Sequence, residues 1–398
     1  MPSAHVTALA PPALLQWPSG DGHCSALWRS DAPLPRRVVL ADDTLPADAA
    51  YRMACEGTGL LWRGDFQNAR HLLQALVRRL DRPRRGKARP AATEAKPAAA
   101  FHAHRQAQAQ RARVLGMLLI ELQGDYGIAL RRAPDVRQAC TEAWGEPDGQ
   151  VCVVPLRSLQ GLVGAHEWRK KGVPVAALGG AYIHPHYGVF SPIRGEYLDL
   201  VANAPLPTAL QRLPCAFDVG VGTGVLSAIL ARRGVPRVVG TDLSDRALSC
   251  AAENLHRLGF SDQVTLEKSD LFPQGRAALV VCNPPWVPAR PTSALDMAIY
   301  DENSSMLRGF LSGLASHLCE GGEGWLILSD LAEHLGLRSR AELMGWIQSA
   351  GLVVLGRLDV KPRHGKTQDA NDPLHAERAA EVTSLWRLGA IRPSTGSP

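Results

Sequence analysis

Ala216-Phe217-Asp218-Val219-Gly220-Val221-Gly222-Thr223-Gly224, running straight into Val225 to Arg233, is the stretch on which the fold of this chain turns. A short apolar strand meets three glycines at alternate positions, and an apolar helical pattern starts immediately after them. Glycines let the backbone turn tightly and come close to a ligand, and the helix start adds exposed N–H groups. Strand, glycine turn and helix are shared with dinucleotide binders, so the motif taken alone leaves an NAD enzyme open.

Downstream, Arg237 to Thr241 reads as the next strand, and it ends in Asp242. That acid lies about twenty residues beyond Gly222, the separation at which a carboxylate meets a ribose hydroxyl in Rossmann-like sheets. A helix is predicted over Ala247 to Leu258, a strand over Val264 to Glu267, a turn over Ser269 to Phe272 and a fourth strand over Ala278 to Cys282. Beyond it, Met306 to Leu318 and Leu337 to Ala350 read as helices and Trp325 to Leu328 as a strand. Leu352 to Val360 and Val382 to Leu388 read as a closing antiparallel hairpin. The alternation predicts an α/β, Rossmann-like doubly wound sheet.

The fourth strand is capped by Asn283-Pro284-Pro285-Trp286. Two prolines cannot continue a central strand and hold the backbone rigid just past its C-terminal edge, where parallel sheets bind ligands. The side-chain oxygen of Asn283 and the carbonyl of Pro284 are acceptors suited to an –NH2 group, and the Trp286 ring is suited to stacking on a flat amide or base. An NAD enzyme gives no reason for this motif.

In this order the motifs resemble the class I methyltransferases, whose sheet binds S-adenosylmethionine. The resemblance implies that Asp218 with Gly220, Val221, Gly222, Thr223 and Gly224 holds the methionine portion of the cofactor. It implies that Asp242, with Leu243 beside it, receives the ribose, and that Asp270 contacts the adenine amino group with Leu271 packed nearby. Asn283, Pro284, Pro285 and Trp286 are then the catalytic motif, with Asn283 also counted among the cofactor-binding residues; the motif is shared by enzymes methylating exocyclic base amines and glutamine amides. The continuation Trp286-Val287-Pro288 is similar to the glutamine methyltransferases of the HemK/PrmC type, as is Pro192-Ile193-Arg194-Gly195-Glu196 upstream. Trp stands where Tyr or Phe is usual. The resemblance covers roughly Tyr187 to Leu337, and substrate identity lies mainly outside it.

The remainder is less informative. A length of 398 residues suggests two domains, and 45% hydrophobic residues suffice for packed cores. Residues 1–81 are expected to form an accessory region and 82–113 a flexible basic linker. Residues 114–180 are expected to form a helical connector, making the region before the methyltransferase domain at 181–398 mainly helical. Within it Asp48 to Cys55 and the stretch after Asp65 read as helices, Arg37 to Leu40 as a strand, and Val114 to Leu122 as an apolar helix. The linker carries nine Lys and Arg against one acid, Glu94, and suits either a tether or a tail that holds RNA phosphates. Arg363, His364 and Lys366 read as a solvated loop and His184-Pro185-His186 as a connector.

The net charge of +6 fits an anionic partner or mere solubility. Eight scattered cysteines without Cys-x-x-Cys spacing argue against zinc and for a reducing compartment. With no secretory signal visible over Met1 to Ala10 and no apolar run of membrane-spanning length, a cytoplasmic protein is expected. The leading expectation is N-methylation, with S-adenosylmethionine, of a protein glutamine or a nucleic-acid base, on a ribosome- or translation-associated partner. The alternative is a non-catalytic RNA- or partner-binding module that keeps the fold.

Overall fold

Short apolar runs build the first part of the chain into a sheet. A computed structural model describes residues 13–20, 22–82, 97–192, 195–291, 296–362 and 372–391. Its contacts divide the chain into two units, residues 1–93 with 105–166 and residues 94–104 with 167–398.

In the first unit β1 (Leu14–Ser19) and β2 (Gly22–Trp28) pair antiparallel. Then follow β3 (Arg37–Ala41), α1 (Ala47–Cys55), β4 (Thr58–Trp62) and α2 (Phe66–Asp81). Asp65 caps α2 by accepting from the Gln67 N–H at 2.9 Å. The unit is completed by the C-terminal part of α3 (Pro97–Leu115), β5 (Leu118–Leu122), α4 (Arg137–Trp144), β6 (Cys152–Pro155) and most of α5 (Leu156–Lys171). The six strands form one mixed sheet in the order β1-β2-β6-β5-β4-β3.

Two expectations are corrected here. The region is not helices alone but holds a six-stranded mixed sheet, missed because a strand buried on both faces shows no alternation and reads like a helix segment. Leu118, Leu119, Ile120 and Leu122 are all fully buried, and they form β5 rather than the predicted continuation of a helix from Val114. The basic stretch is not a tether over its second half: residues 97–115 are helix, while 83–96 lie outside the described residues. Alanine, glutamine and arginine are strong helix formers, and Val114 anchors this end of the helix against Ala54 and Met117.

The second unit opens with a two-stranded piece, β7 (Val173–Val175) and β8 (Ala181–Ile183), and then α6 (Glu196–Asn203). Its main sheet alternates as the pattern predicts: β9 (Cys215–Val219), α7 (Val225–Arg232), β10 (Arg237–Asp242), α8 (Asp245–Leu258), β11 (Val264–Lys268) and β12 (Ala277–Cys282). After α9 (Ser305–His317) and β13 (Leu318–Ser329) come α10 (Leu331–His334), α11 (Arg340–Ser349), β14 (Leu352–Val360), α12 (His375–Ala380) and β15 (Thr383–Ala390). The seven strands lie in the order β11-β10-β9-β12-β13-β15-β14. The first five are parallel, β15 runs against β13, and β14 runs against β15.

One apolar layer joins α6, α7 and α8 to the sheet through Leu198, Leu226, Ile229 and Leu255. Another joins α9 and α11 through Leu307, Phe310, Leu343 and Ile347. The sheet is thus covered on both faces, and the C-terminal ends of β9, β10 and β12 converge on one edge. β9 lies between β10 and β12, where the strand order reverses; that reversal opens the crevice in which such sheets bind ligands.

Candidate active site

Three segments meet at that edge: the glycine turn after β9, the end of β10, and the diproline corner after β12. In the turn, Gly220, Gly222 and Gly224 have φ of +76°, +52° and +80°. The glycines are therefore needed for their left-handed backbone, which costs about 1–2 kcal/mol for a residue with a Cβ. The turn is tied to β10 by the Gly220 and Val221 N–H groups, both donating to the Thr241 carbonyl, at 2.9 and 2.8 Å. The Gly222 N–H donates to Asp242 Oδ2 at 3.1 Å, and the Gly224 N–H to the Val221 carbonyl at 2.8 Å. Four of the turn's amides are thus already paired, three to β10 and one within the turn, so close approach of the backbone is what these positions offer a ligand.

Asp218 is fully buried at the base of the turn. Its Oδ2 accepts from the Ser227 N–H at 2.9 Å and from Ser227 Oγ at 2.6 Å, while Oδ1 has no partner. Burial pushes its carboxyl up to about 6; the Ser227 bonds pull the other way, and the charge of Asp242 adds to the rise. A buried carboxylate oxygen left unpaired beneath a left-handed glycine turn is a place for a cationic ligand.

Because the folded carboxyl titrates above its unfolded value, the stability linked to it is complete below about pH 4 and is lost as pH rises through about 6. From an ordinary 3.8 to about 6, the change corresponds to about 3 kcal/mol at 1.36 kcal/mol per pH unit. Asp218→Asn is therefore expected to flatten the fall in ligand-free stability between pH 4.5 and 7. Denaturant melts of both proteins across that range check it; an undiminished slope in the variant would exclude Asp218 as its source.

Asp242 Oδ1 also accepts from the Ser244 N–H at 2.9 Å. Each oxygen thus takes one backbone donor and keeps a lone pair for a hydroxyl. Leu243 beside it is 62% exposed, an apolar surface of the sort a ligand covers. The Ser269–Phe272 turn is held at the same edge: Thr241 Oγ1 donates to the Leu271 carbonyl and Ser269 Oγ to the Phe272 carbonyl at 2.7 Å. Leu271 is left-handed at φ +69°, with its side chain set against α9 at Gly309. Asp270 remains exposed.

At the diproline corner Trp286 Nε1 donates to Asn283 Oδ1 at 2.9 Å. The Asn283 oxygen, expected to be wholly free, therefore has one lone pair engaged and one to spare. Tyr197 is buried by its neighbours and meets Trp286 edge-on, with ring centres 6.4 Å apart and planes at 89°. The upstream segment thus reaches the site through Tyr197; Ile193 and Arg194 lie outside the described residues, as do Arg363, His364 and Lys366. Past the corner, Val287 bridges to Tyr300 and packs with Ala289, Phe101, Leu331 and Leu335.

Four contributors were not anticipated. Ser227 fixes Asp218, Tyr197 braces Trp286, and Met306 lies where a Cβ on Gly220 would come within 2.9 Å of its Cε. Asp301, buried, receives the Met306 and Leu307 N–H groups at 3.1 and 3.2 Å and so starts α9 behind two left-handed residues, Asn303 and Ser304. Asp301 had a sequence signal, an acid just ahead of a helical run, and Tyr197 ends the upstream segment that starts at Phe190. His184 and His186 bond to the Arg169 carbonyl and to Glu253, and among the described residues no cluster suits a metal. All eight cysteines are free thiols, and among the described residues no helix is long and apolar enough to cross a membrane.

A five-strand parallel core closed by an antiparallel pair, with a glycine turn, an acid ending the next strand and a diproline corner on one edge, is the architecture of a class I methyltransferase. Residues 181–338 match the family model described as methyltransferase small domain. The release factor glutamine methyltransferase of Gloeobacter violaceus is 30% identical over 241 residues, 58% of this chain and 76% of that protein. That of Cereibacter sphaeroides is 30% identical over 164 residues, 37% of this chain and 56% of the relative. The ribosomal protein uL3 glutamine methyltransferase of Bradyrhizobium diazoefficiens is 38% identical over 113 residues, 27% and 34% of the two chains. The chain belongs to the methyltransferase small domain family, with relatives named as glutamine methyltransferases. It spans 56%, 61% and 34% of the lengths of the first three relatives it matches.

Proposed function

We propose that this chain transfers a methyl group from S-adenosylmethionine to the side-chain amide nitrogen of a glutamine in a translation-related protein, in the cytoplasm. The observation that carries the reading is the Asn283-Pro284-Pro285-Trp286 corner at the end of β12, beside the glycine turn of β9. The turn fits the cofactor on its own chemistry, through the unpaired Asp218 Oδ1, the open side of Gly222 and the spare lone pairs of Asp242. Asp218 and residues 220–224 would hold the methionine portion, Asp242 and Leu243 the ribose, and Asp270 and Leu271 the adenine. The cofactor supplies a methyl group already activated on a cationic sulfur.

The work left to the protein is positioning. Asn283 Oδ1, through its remaining lone pair, and the Pro284 carbonyl accept the two amide hydrogens. That pairing fixes the amide plane and raises electron density on its nitrogen. The half-buried Trp286 ring flanks the plane, and Pro285 keeps the corner rigid. With the cofactor bound, the amide nitrogen so held would accept the methyl group, leaving the sulfur as a neutral thioether, and would give its proton to water. No strong base is required, since orientation alone can supply much of the acceleration.

The test is incubation with methyl-labelled cofactor and, separately, release factors, ribosomal proteins and RNA. Label is expected in protein, resistant to nuclease and released as methylglutamine on proteolysis. Label confined to nuclease-sensitive material would replace glutamine by a base amine, and cofactor binding without any transfer would favour a binding module.

A further inference from the structure

A carboxamide presents two ends of nearly the same shape, and only the donors and acceptors around it decide which end is oxygen. At Asn283 the deciding donor is Trp286 Nε1, 2.9 Å from Oδ1. An indole N–H donates and cannot accept, so it pairs with the oxygen and repels the NH2 end. The indole is itself held. Tyr197 meets it edge-on at 6.4 Å, and the ring packs against both faces of the sheet and against the Val287–Phe101 group.

We infer that Trp286 is a positioning residue, which locks the Asn283 carboxamide with its oxygen outward for an incoming –NH2; this rests on the transfer proposed above. With the carboxamide turned over, Asn283 would present its own NH2 to the substrate's, donor against donor, and the orientation would be unproductive. A Tyr or Phe ring at this position fills similar space but carries no N–H at the indole position. The tryptophan is therefore part of how this chain sets its acceptor, and this contribution runs through Asn283, separate from the flanking of the amide plane by its ring.

Replacing Trp286 with benzothienylalanine, which keeps the bicyclic shape and exchanges the N–H for sulfur, isolates the bond. The expected result is kcat lowered about fivefold, the value of one neutral hydrogen bond, with KM for a release-factor substrate and affinity for S-adenosylmethionine unchanged. In 15N–1H spectra the Asn283 side-chain NH2 signals are expected to shift or double. Trp286→Phe is expected to act in the same direction and more strongly, because it also removes packing. Wild-type kcat with unmoved Asn283 signals in the benzothienylalanine protein overturns the inference. Should the unaltered protein methylate no glutamine at all, the proposed function fails, while the Asn283 signals still decide whether the indole sets the carboxamide.

Discussion

Asn283→Ala is expected to lower single-turnover methyl transfer about a thousandfold and to leave the affinity for S-adenosylmethionine within about twofold of wild type. Asn283 lies past the end of β12, and its oxygen is held by Trp286 rather than by any group of the glycine turn. Removing it takes away one of two acceptors for the amide hydrogens and leaves the indole N–H without its partner. The lost acceptor matters only when the substrate nitrogen is aligned, so the effect falls on kcat rather than on cofactor binding. Asn283→Asp separates orientation from charge. It keeps an acceptor for Trp286 and for the substrate, and it is expected to retain a measurable fraction of the activity that Ala loses. Rapid-quench transfer and calorimetric titration with S-adenosylhomocysteine provide the two readouts. Transfer in Asn283→Ala within tenfold of wild type would remove Asn283 from the reaction, and weakened cofactor binding would make it a cofactor ligand instead.

The second unit was legible because its elements announce themselves locally. Glycines at 220, 222 and 224 adopt left-handed backbone, Asp242 ends the next strand, and two prolines cannot continue a central strand. What escaped is what depends on neighbours remote in sequence. β5 is apolar at four of its five positions, and its character is settled by β4 and β6 on either side. Phe101 sits in a stretch dominated by arginine, alanine and glutamine, yet it packs against Val287 and Leu335. The donor from Trp286 to Asn283 spans only three residues, but its direction depends on Tyr197, which the sequence places far upstream. The sequence pattern thus located the edge where the glycine turn, Asp242 and the diproline corner meet, while the braces of that edge came from packing.

Two glycines of the turn carry opposite expectations. A Cβ on Gly224 would lie 3.2 Å from both the Cα and the Cβ of Ala251 in α8, and the residue sits at φ +80° as the cap of α7. Neither helix can give way without disturbing the sheet they cover, so Gly224→Val adds overpacking to left-handed strain. The expected cost is about 3 kcal/mol or more, a fall in Tm of about 10 °C, with cofactor binding lost because the turn no longer closes. Gly222 differs: its φ is +52°, and the nearest atom to a Cβ there is the Gly220 carbonyl oxygen at 3.9 Å, so the methyl would project into open space. Gly222→Ala is expected to cost only about 1 kcal/mol of stability. If the open side of Gly222 is where the cofactor lies against the backbone, the same methyl must weaken its binding about tenfold or more, since a forced methyl costs about 1–3 kcal/mol. Thermal melts and titration with S-adenosylhomocysteine separate the two effects. A Gly222→Ala protein that binds the cofactor as tightly as wild type would mean that no ligand approaches the turn from that side.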